Sequence, residues 1–230
     1  MAGPHHEGPL LKRAGERAPR PPSPEVSSLT LNRLSVYLRS LRQLQASGES
    51  TISSQELARR FHLSATQIRK DLAQFGEFGI RGVGYDVALL EARLRGVLSL
   101  DREHRLIVVG VGNLGQALVR FLAVAEEGFR VVAAVDKDPA KVGRRVGGVT
   151  IRPSKELRGV VRETTPEIGV LAVPPEAAQE NYDALVAAGL RAVLNFASVN
   201  LRLAPGVPTK NVDLRIHLEE LAFLVRAAGG

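Results

Sequence analysis

The residues with the clearest chemical purpose are Gly110-Val111-Gly112-Asn113-Leu114-Gly115 and, 21 positions beyond the last of them, Asp136. A G-x-G-x-x-G pattern is weak by itself. Here it follows the apolar run LIVVG (106–110) and opens a helical stretch, the strand–turn–helix setting that a dinucleotide loop requires. Gly110 allows the tight turn, Gly112 lets a pyrophosphate approach the backbone, and Gly115 lets helix and strand pack closely. The N–H groups opening the helix then face the phosphates. Asp136 ends the next apolar run, VVAAVD. A carboxylate there accepts from both ribose hydroxyls and repels a 2′-phosphate, so NAD(H) is expected rather than NADP. Lys137, beside it, softens that repulsion. A glycine turn without a ligand, FAD and a CoA-type ligand are the alternatives.

Catalytic groups are hard to find. Hydride transfer usually needs an acid or base to move a proton. Tyr37, Tyr85 and Tyr182 have no Lys four residues on. His104 falls in a linker, His217 in the last helix and Lys210 near a strand end, each without an evident orienting partner. No metal-ligand motif is present, and His5 and His6 read as tail residues. The chain is expected to bind a dinucleotide without transforming a substrate, so no enzymatic activity is expected.

A second chemistry sits earlier. Two short helical stretches meet at His62-Leu63 and are followed by GEFGIRGVGYDV (76–87), whose four glycines predict a tight hairpin. That is a winged helix-turn-helix plan. In the second stretch Ile68, Leu72 and Phe75 point inward. Ser64, Ala65, Thr66, Gln67, Arg69 and Lys70 are left for a major groove. Gln pairs with adenine and Arg with guanine, while an Ala or Thr methyl touches thymine. Lys70 equally suits a phosphate. Arg81 and Gly82 in the hairpin suit a minor groove. Winged helices also contact proteins, so the protein-binding reading stays open.

Composition limits the classes. With 31 Lys plus Arg against 24 Asp plus Glu the net charge is +7, and residues 1–100 carry +5 of it, on the half that holds the helix-turn-helix. There is no cysteine, which excludes disulfides, thiolate metal sites and thiol redox chemistry. The sequence has no run of about 20 apolar residues, and its first residues lack the apolar core expected of a secretory leader. A soluble, cytoplasmic protein with no membrane partner is expected.

The elements that must position these groups follow from periodicity. Residues 1–27 hold six of the thirteen prolines and read as a disordered arm. Leu31, Leu34, Tyr37, Leu38, Leu41 and Leu44 predict one amphipathic helix. Ser53 to Glu56 has capping-box spacing for a second. Beyond Asp101 apolar strands alternate with helices, which implies a doubly wound parallel sheet. The expected domains are the arm (1–27), a winged helix (28–100), a Rossmann-like domain (101–212) and a C-terminal helix (213–230). The fold class is α/β.

Taken together, Gln67-Ile68-Arg69-Lys70-Asp71-Leu72, Phe75-Gly76, Arg81-Gly82-Val83-Gly84-Tyr85 and the glycine loop resemble the Rex family of redox-sensing transcriptional repressors. Ala172-Val173-Pro174, Asn195-Phe196-Ala197 and Asn211-Val212-Asp213-Leu214 extend the likeness over about residues 28–228. The resemblance implies a homodimer that binds palindromic operator DNA and releases it when NADH binds. It adds Val173, Pro174, Asn195, Phe196 and Ala197 to the cofactor site. It implies a swapped C-terminal helix, which accounts for the apolar surface of LRIHLEELAFLVRAA, and a pairing of Asp213 with Arg39 across the dimer. The sequence departs from the family pattern at Phe121, often Tyr, and at Ser198, where Pro is commoner. An NAD-dependent dehydrogenase with an accessory winged helix is the alternative.

Overall fold

The computed structural model describes residues 26–80, 82–124 and 128–228. They form two compact units that divide between Asp101 and Arg102.

The first unit contains α1 (Ser28–Ala46), β1 (Thr51–Ile52), α2 (Ser54–Phe61), α3 (Ala65–Ala73), β2 (Tyr85–Asp86) and α4 (Val87–Val97). Each helix starts on a side chain that accepts an otherwise orphaned N–H. Ser27 takes Thr30, Ser53 takes Glu56, Ser64 takes Gln67 and Asp86 takes Leu89. Ser27 thus belongs to the first helix, and Val26 packs on the core. The remainder of the expected arm, residues 1–25, lies outside the described residues, as does Arg81. His62 turns left-handed at φ 53°, which ends α2 and aims the chain into α3. The three- and four-residue spacing of Leu34, Leu38 and Leu41 lays them against Leu57, Ile68, Leu72, Leu90 and Leu94 in one core.

The hairpin expected over 76–87 has a different form. A single bridge, Ile80 to Gly84, closes its tip. Tyr85–Asp86 then pairs antiparallel with Thr51–Ile52, a strand absent from the sequence reading. Two residues carry no readable period. Gly84 has φ +107°, and a Cβ on it would stand 2.5 Å from the Ile52 carbonyl oxygen, so only glycine lets these segments meet.

The second unit is a seven-stranded sheet: β3 (His104–Val109), β4 (Phe129–Asp136), β5 (Arg145–Val146), β6 (Val149–Pro153), β7 (Ile168–Leu171), β8 (Ala192–Asn195) and β9 (Thr209–Asn211). The order is β5-β6-β4-β3-β7-β8-β9. Every pairing is parallel except β5 with β6. Helices α5 (Asn113–Val124), α6 (Leu157–Thr164) and α7 (Pro175–Ala187) cross between strands. Alternation between two covered faces explains why β3 is apolar from Leu106 to Val109. Leu106 and Val108 enter one core with Val119, while Ile107 and Val109 enter another with Val160, Tyr182 and Leu185. The chain runs outward from β3 to β6 and returns to β7 on the other side of β3. The crevice where such an order reverses is where doubly wound sheets take ligands.

His104 opens β3 and does not lie in a linker. Its Nδ1 is 2.9 Å from Glu167 Oε2, and its ring lies 5.6 Å from Phe129. The last helix, α8 (Leu214–Ala228), leaves Leu214, Ile216, Leu218, Leu221, Phe223, Leu224 and Val225 more than half exposed. Among the described residues no helix is long and apolar enough to cross a membrane.

Candidate functional site: a glycine loop and a recognition helix

The glycine loop lies at the carboxyl end of β3, at the switch point. Gly110 has φ +87°, and a Cβ on it would meet the Ala172 carbonyl oxygen at 2.5 Å and Val173 Cγ1 at 2.7 Å. The turn therefore seats against the end of β7, which brings Val173 and Pro174 beside it. A Cβ on Gly115 would overlap the Gly110 carbonyl oxygen, so this glycine sets the approach of α5 to β3. Gly112 is different, since nothing lies within 4 Å of a Cβ built on it. Asn113 and Leu114 are exposed beside it at the start of α5. An open backbone face at a helix N-terminus fits a pyrophosphate.

Asp136 is engaged by the loop itself. It is 6% exposed. Its Oδ2 accepts the Val111 N–H at 2.6 Å and Lys141 Nζ at 3.2 Å, and its Oδ1 accepts the Asp138 N–H at 2.8 Å. Burial pushes this carboxyl up, but the Asp138 and Val111 N–H groups and the Lys141 ammonium outweigh burial and hold it below the usual carboxylate range. It works as a clasp on the glycine loop. Asp138, its side chain 43% exposed, accepts the Ala140 N–H at 2.9 Å and pairs with Lys141 at 3.7 Å. Lys137 is exposed. Lys141 is a member of the site that the sequence reading lacks.

Asn195 is likewise engaged within the protein. It is fully buried. Its Nδ2 donates to the carbonyl oxygens of Ala197 and Val199 and to Asn211 Oδ1, and its Oδ1 accepts the Ala197 N–H. Both side-chain polar atoms are engaged, so it shapes the loop after β8. Phe196 is half-buried, Ala197 is buried and Ser198 is exposed. Phe121, on α5, is 70% exposed.

On α3, Ser64 is exposed and its hydroxyl oxygen caps the helix, and the half-buried Ala65 methyl packs on the core. Thr66, Arg69 and Lys70 are exposed. Arg69 reaches Ser54 Oγ at 2.7 Å and Thr66 Oγ1 at 3.4 Å. Gly82, exposed at φ +83°, supplies the left-handed turn of the wing tip.

Gln67 is half-buried, and its Nε2 donates to Asp71 Oδ1 at 2.7 Å. Asp71 is fully buried. Arg33 grips it through Nε at 2.6 Å and Nη2 at 2.8 Å, and the Tyr37 hydroxyl donates to it at 2.9 Å. Burial pushes the Asp71 carboxyl up, but bonds from Arg33, Gln67 and Tyr37 prevail and hold it down. Burial pushes the Tyr37 hydroxyl up. The sequence signal for this network was faint: Tyr37, a member of the apolar stripe of one helix that carries a hydroxyl, and Arg33 beside that stripe. Arg39 is exposed on α1, and Asp213 accepts the Arg215 N–H and pairs with Arg215 at 2.9 Å.

Comparison with known proteins agrees with both halves of this picture. Residues 25–73 match the family model described as "Putative DNA-binding protein N-terminus", and residues 101–199 match the "CoA binding domain" model. The redox-sensing transcriptional repressor Rex of Desulforamulus reducens is 44% identical over 86% of this chain and 95% of its own. The Rex-family repressor RSP has been solved in complex with β-NAD+ and operator DNA, and that structure superposes with TM-score 0.85 at 32% identity over 90% of this chain and 95% of RSP. RSP in complex with β-NADH superposes at 0.82, with 30% identity over 90% of this chain and 97% of RSP. With that identity over nearly its whole length, this chain belongs to the Rex family of redox-sensing transcriptional repressors.

Proposed function

We infer that this protein is a DNA-binding repressor that reads the NADH/NAD+ ratio, holding operator DNA as a homodimer and releasing it when NADH binds. The observation that carries the reading is the pairing of two devices in one chain. A recognition helix displays Thr66, Arg69 and Lys70, and a glycine loop with an open backbone face sits at a sheet switch point. RSP, alike over both, is known with operator DNA and with either form of the dinucleotide. Its relatives are regulators, and this chain is a regulator rather than a dehydrogenase. One family model bears a CoA name, but RSP holds NAD+ and NADH, so the dinucleotide is the ligand inferred here.

The residues assigned to the cofactor are Gly110, Val111, Gly112, Asn113, Leu114 and Gly115, with Val173 and Pro174 flanking. Asp136 and Lys141 hold the loop in shape. The bound dinucleotide supplies the redox state that is read. Arg69, Lys70, Thr66 and the wing at Gly82 face DNA. Asp213 leaving Arg215 for Arg39 of a second copy belongs to the same proposal. Release on binding is linkage: a ligand shifts an equilibrium only by its differential affinity for two states. Moving the population from mostly bound to mostly released takes about 5 kcal/mol of it. A regulator of DNA works where the chromosome is, in the cytoplasm.

The test is a gel-shift titration of the full chain on palindromic promoter DNA at increasing NADH/NAD+. Weaker binding at saturating NADH is expected, and unchanged binding would reject the reading. Calorimetry with NADH, NADPH and CoA separates the ligand classes.

A further inference from the structure

We propose that Gln67 selects an adenine in the DNA, and that Asp71, clamped by Arg33 and Tyr37, sets the orientation in which it does so. The proposal rests on the DNA-binding reading above. An ionised carboxylate only accepts hydrogen bonds, so the Gln67 atom 2.7 Å from Asp71 Oδ1 is the amide nitrogen. That contact fixes which way round the amide lies. Among the described residues no donor meets Gln67 Oε1, and one Nε2 hydrogen remains. What is left is one acceptor beside one donor. Adenine shows the matching pair in the major groove, N7 to accept and N6–H₂ to donate, whereas guanine shows two acceptors and would oppose Oε1.

Asp71 does not follow the ligand. It is fully buried, its two oxygens accept two bonds from Arg33 and one from Tyr37, and it lies one helical turn beyond Gln67 on α3. A free glutamine samples many rotamers and both amide faces. Holding one of them removes an ordering cost from binding and removes the flipped amide. Asp71 and Tyr37 are thus positioning residues, and Gln67 makes the contact.

The experiment equilibrates the full chain with duplexes randomised across a palindrome and sequences the bound fraction. The wild type is expected to enrich A·T at one position of each half-site. Gln67→Ala removes that preference and leaves the other positions as they are. Tyr37→Phe and Asp71→Asn reduce the preference at that same position by about 3- to 10-fold, the range of one lost orienting bond. A merely structural role would weaken binding at all positions alike. If Gln67→Ala keeps the wild-type preference, Gln67 does not read the base. If Gln67→Ala loses it but neither network variant alters it, Asp71 does not orient Gln67. If the wild type enriches no sequence at all, the DNA-binding reading fails and takes this proposal with it.

Discussion

Asp136, the last residue of β4, accepts the backbone N–H of Val111, inside the glycine loop, at 2.6 Å. One strand of the sheet thus fastens the loop that its neighbour launches, and Lys141 braces the fastening from Oδ2 at 3.2 Å. A charge-assisted bond to a buried carboxylate is worth about 1.5–3 kcal/mol. Asp136→Ala is therefore expected to weaken NADH binding about 10- to 100-fold by calorimetry. Lys141→Ala should act in the same direction with a smaller effect. The folded carboxyl lies below its ordinary value of about 3.9. The clasp is therefore complete above that pH and is lost as pH falls through the folded value. Wild-type affinity that stayed constant down to the acid limit of folding would contradict the clasp.

Gly112 and Gly115 separate ligand space from packing space. A Cβ on Gly115 would overlap the Gly110 carbonyl oxygen, while one on Gly112 meets nothing within 4 Å. Gly115→Ala is expected to cost about 1–3 kcal/mol by overpacking and to lower the melting temperature of the second unit. Gly112→Ala should change stability by less than about 1 kcal/mol, yet lose NADH binding at least about 10-fold, because its methyl enters the space left for phosphate. Equal thermal losses in the two variants would refute the distinction.

Much of this was legible in the residues. The strands of the second unit announced themselves because burial on both faces makes a run apolar without interruption, as at 106–109 in β3 and 131–135 in β4. The glycine loop was legible because each glycine answers a backbone constraint. The internal contacts of Asp136 and Asn195 were not. Their positions at strand ends carry no record of the donors around each: Val111, Asp138 and Lys141 for one, Ala197 for the other. The Arg33–Asp71 pair, 38 residues apart, was hidden because sequence spacing carries no record of contacts between helices.

Glu167 joins Arg102 Nη1 at 2.8 Å and His104 Nδ1 at 2.9 Å at the start of β3. Arg102 and then His104 hold its carboxyl down to about 2. The folded value is below the ordinary one, so this stabilisation is full above about pH 4.3 and disappears as pH falls toward 2. Glu167→Gln is expected to lower the melting temperature at pH 7 and to flatten its decline between those limits. A variant curve parallel to the wild type down to pH 2 would show that the pair contributes nothing.

The seven large apolar side chains of α8 are more than half exposed within one chain. Covering the exposed part of each is worth about 1–2 kcal/mol. The inferred dimer gives them a surface to cover. Leu221→Asp places a carboxylate in the middle of that face, beside Leu218 and Leu224. It should shift the protein from dimer to monomer in sedimentation, with both units still folded by circular dichroism. Operator affinity should fall by far more than the salt-dependent loss of one phosphate contact, because a palindrome is gripped by two recognition helices or weakly by one. A Leu221→Asp protein that still sediments as the wild type does would place the dimer contact elsewhere than α8.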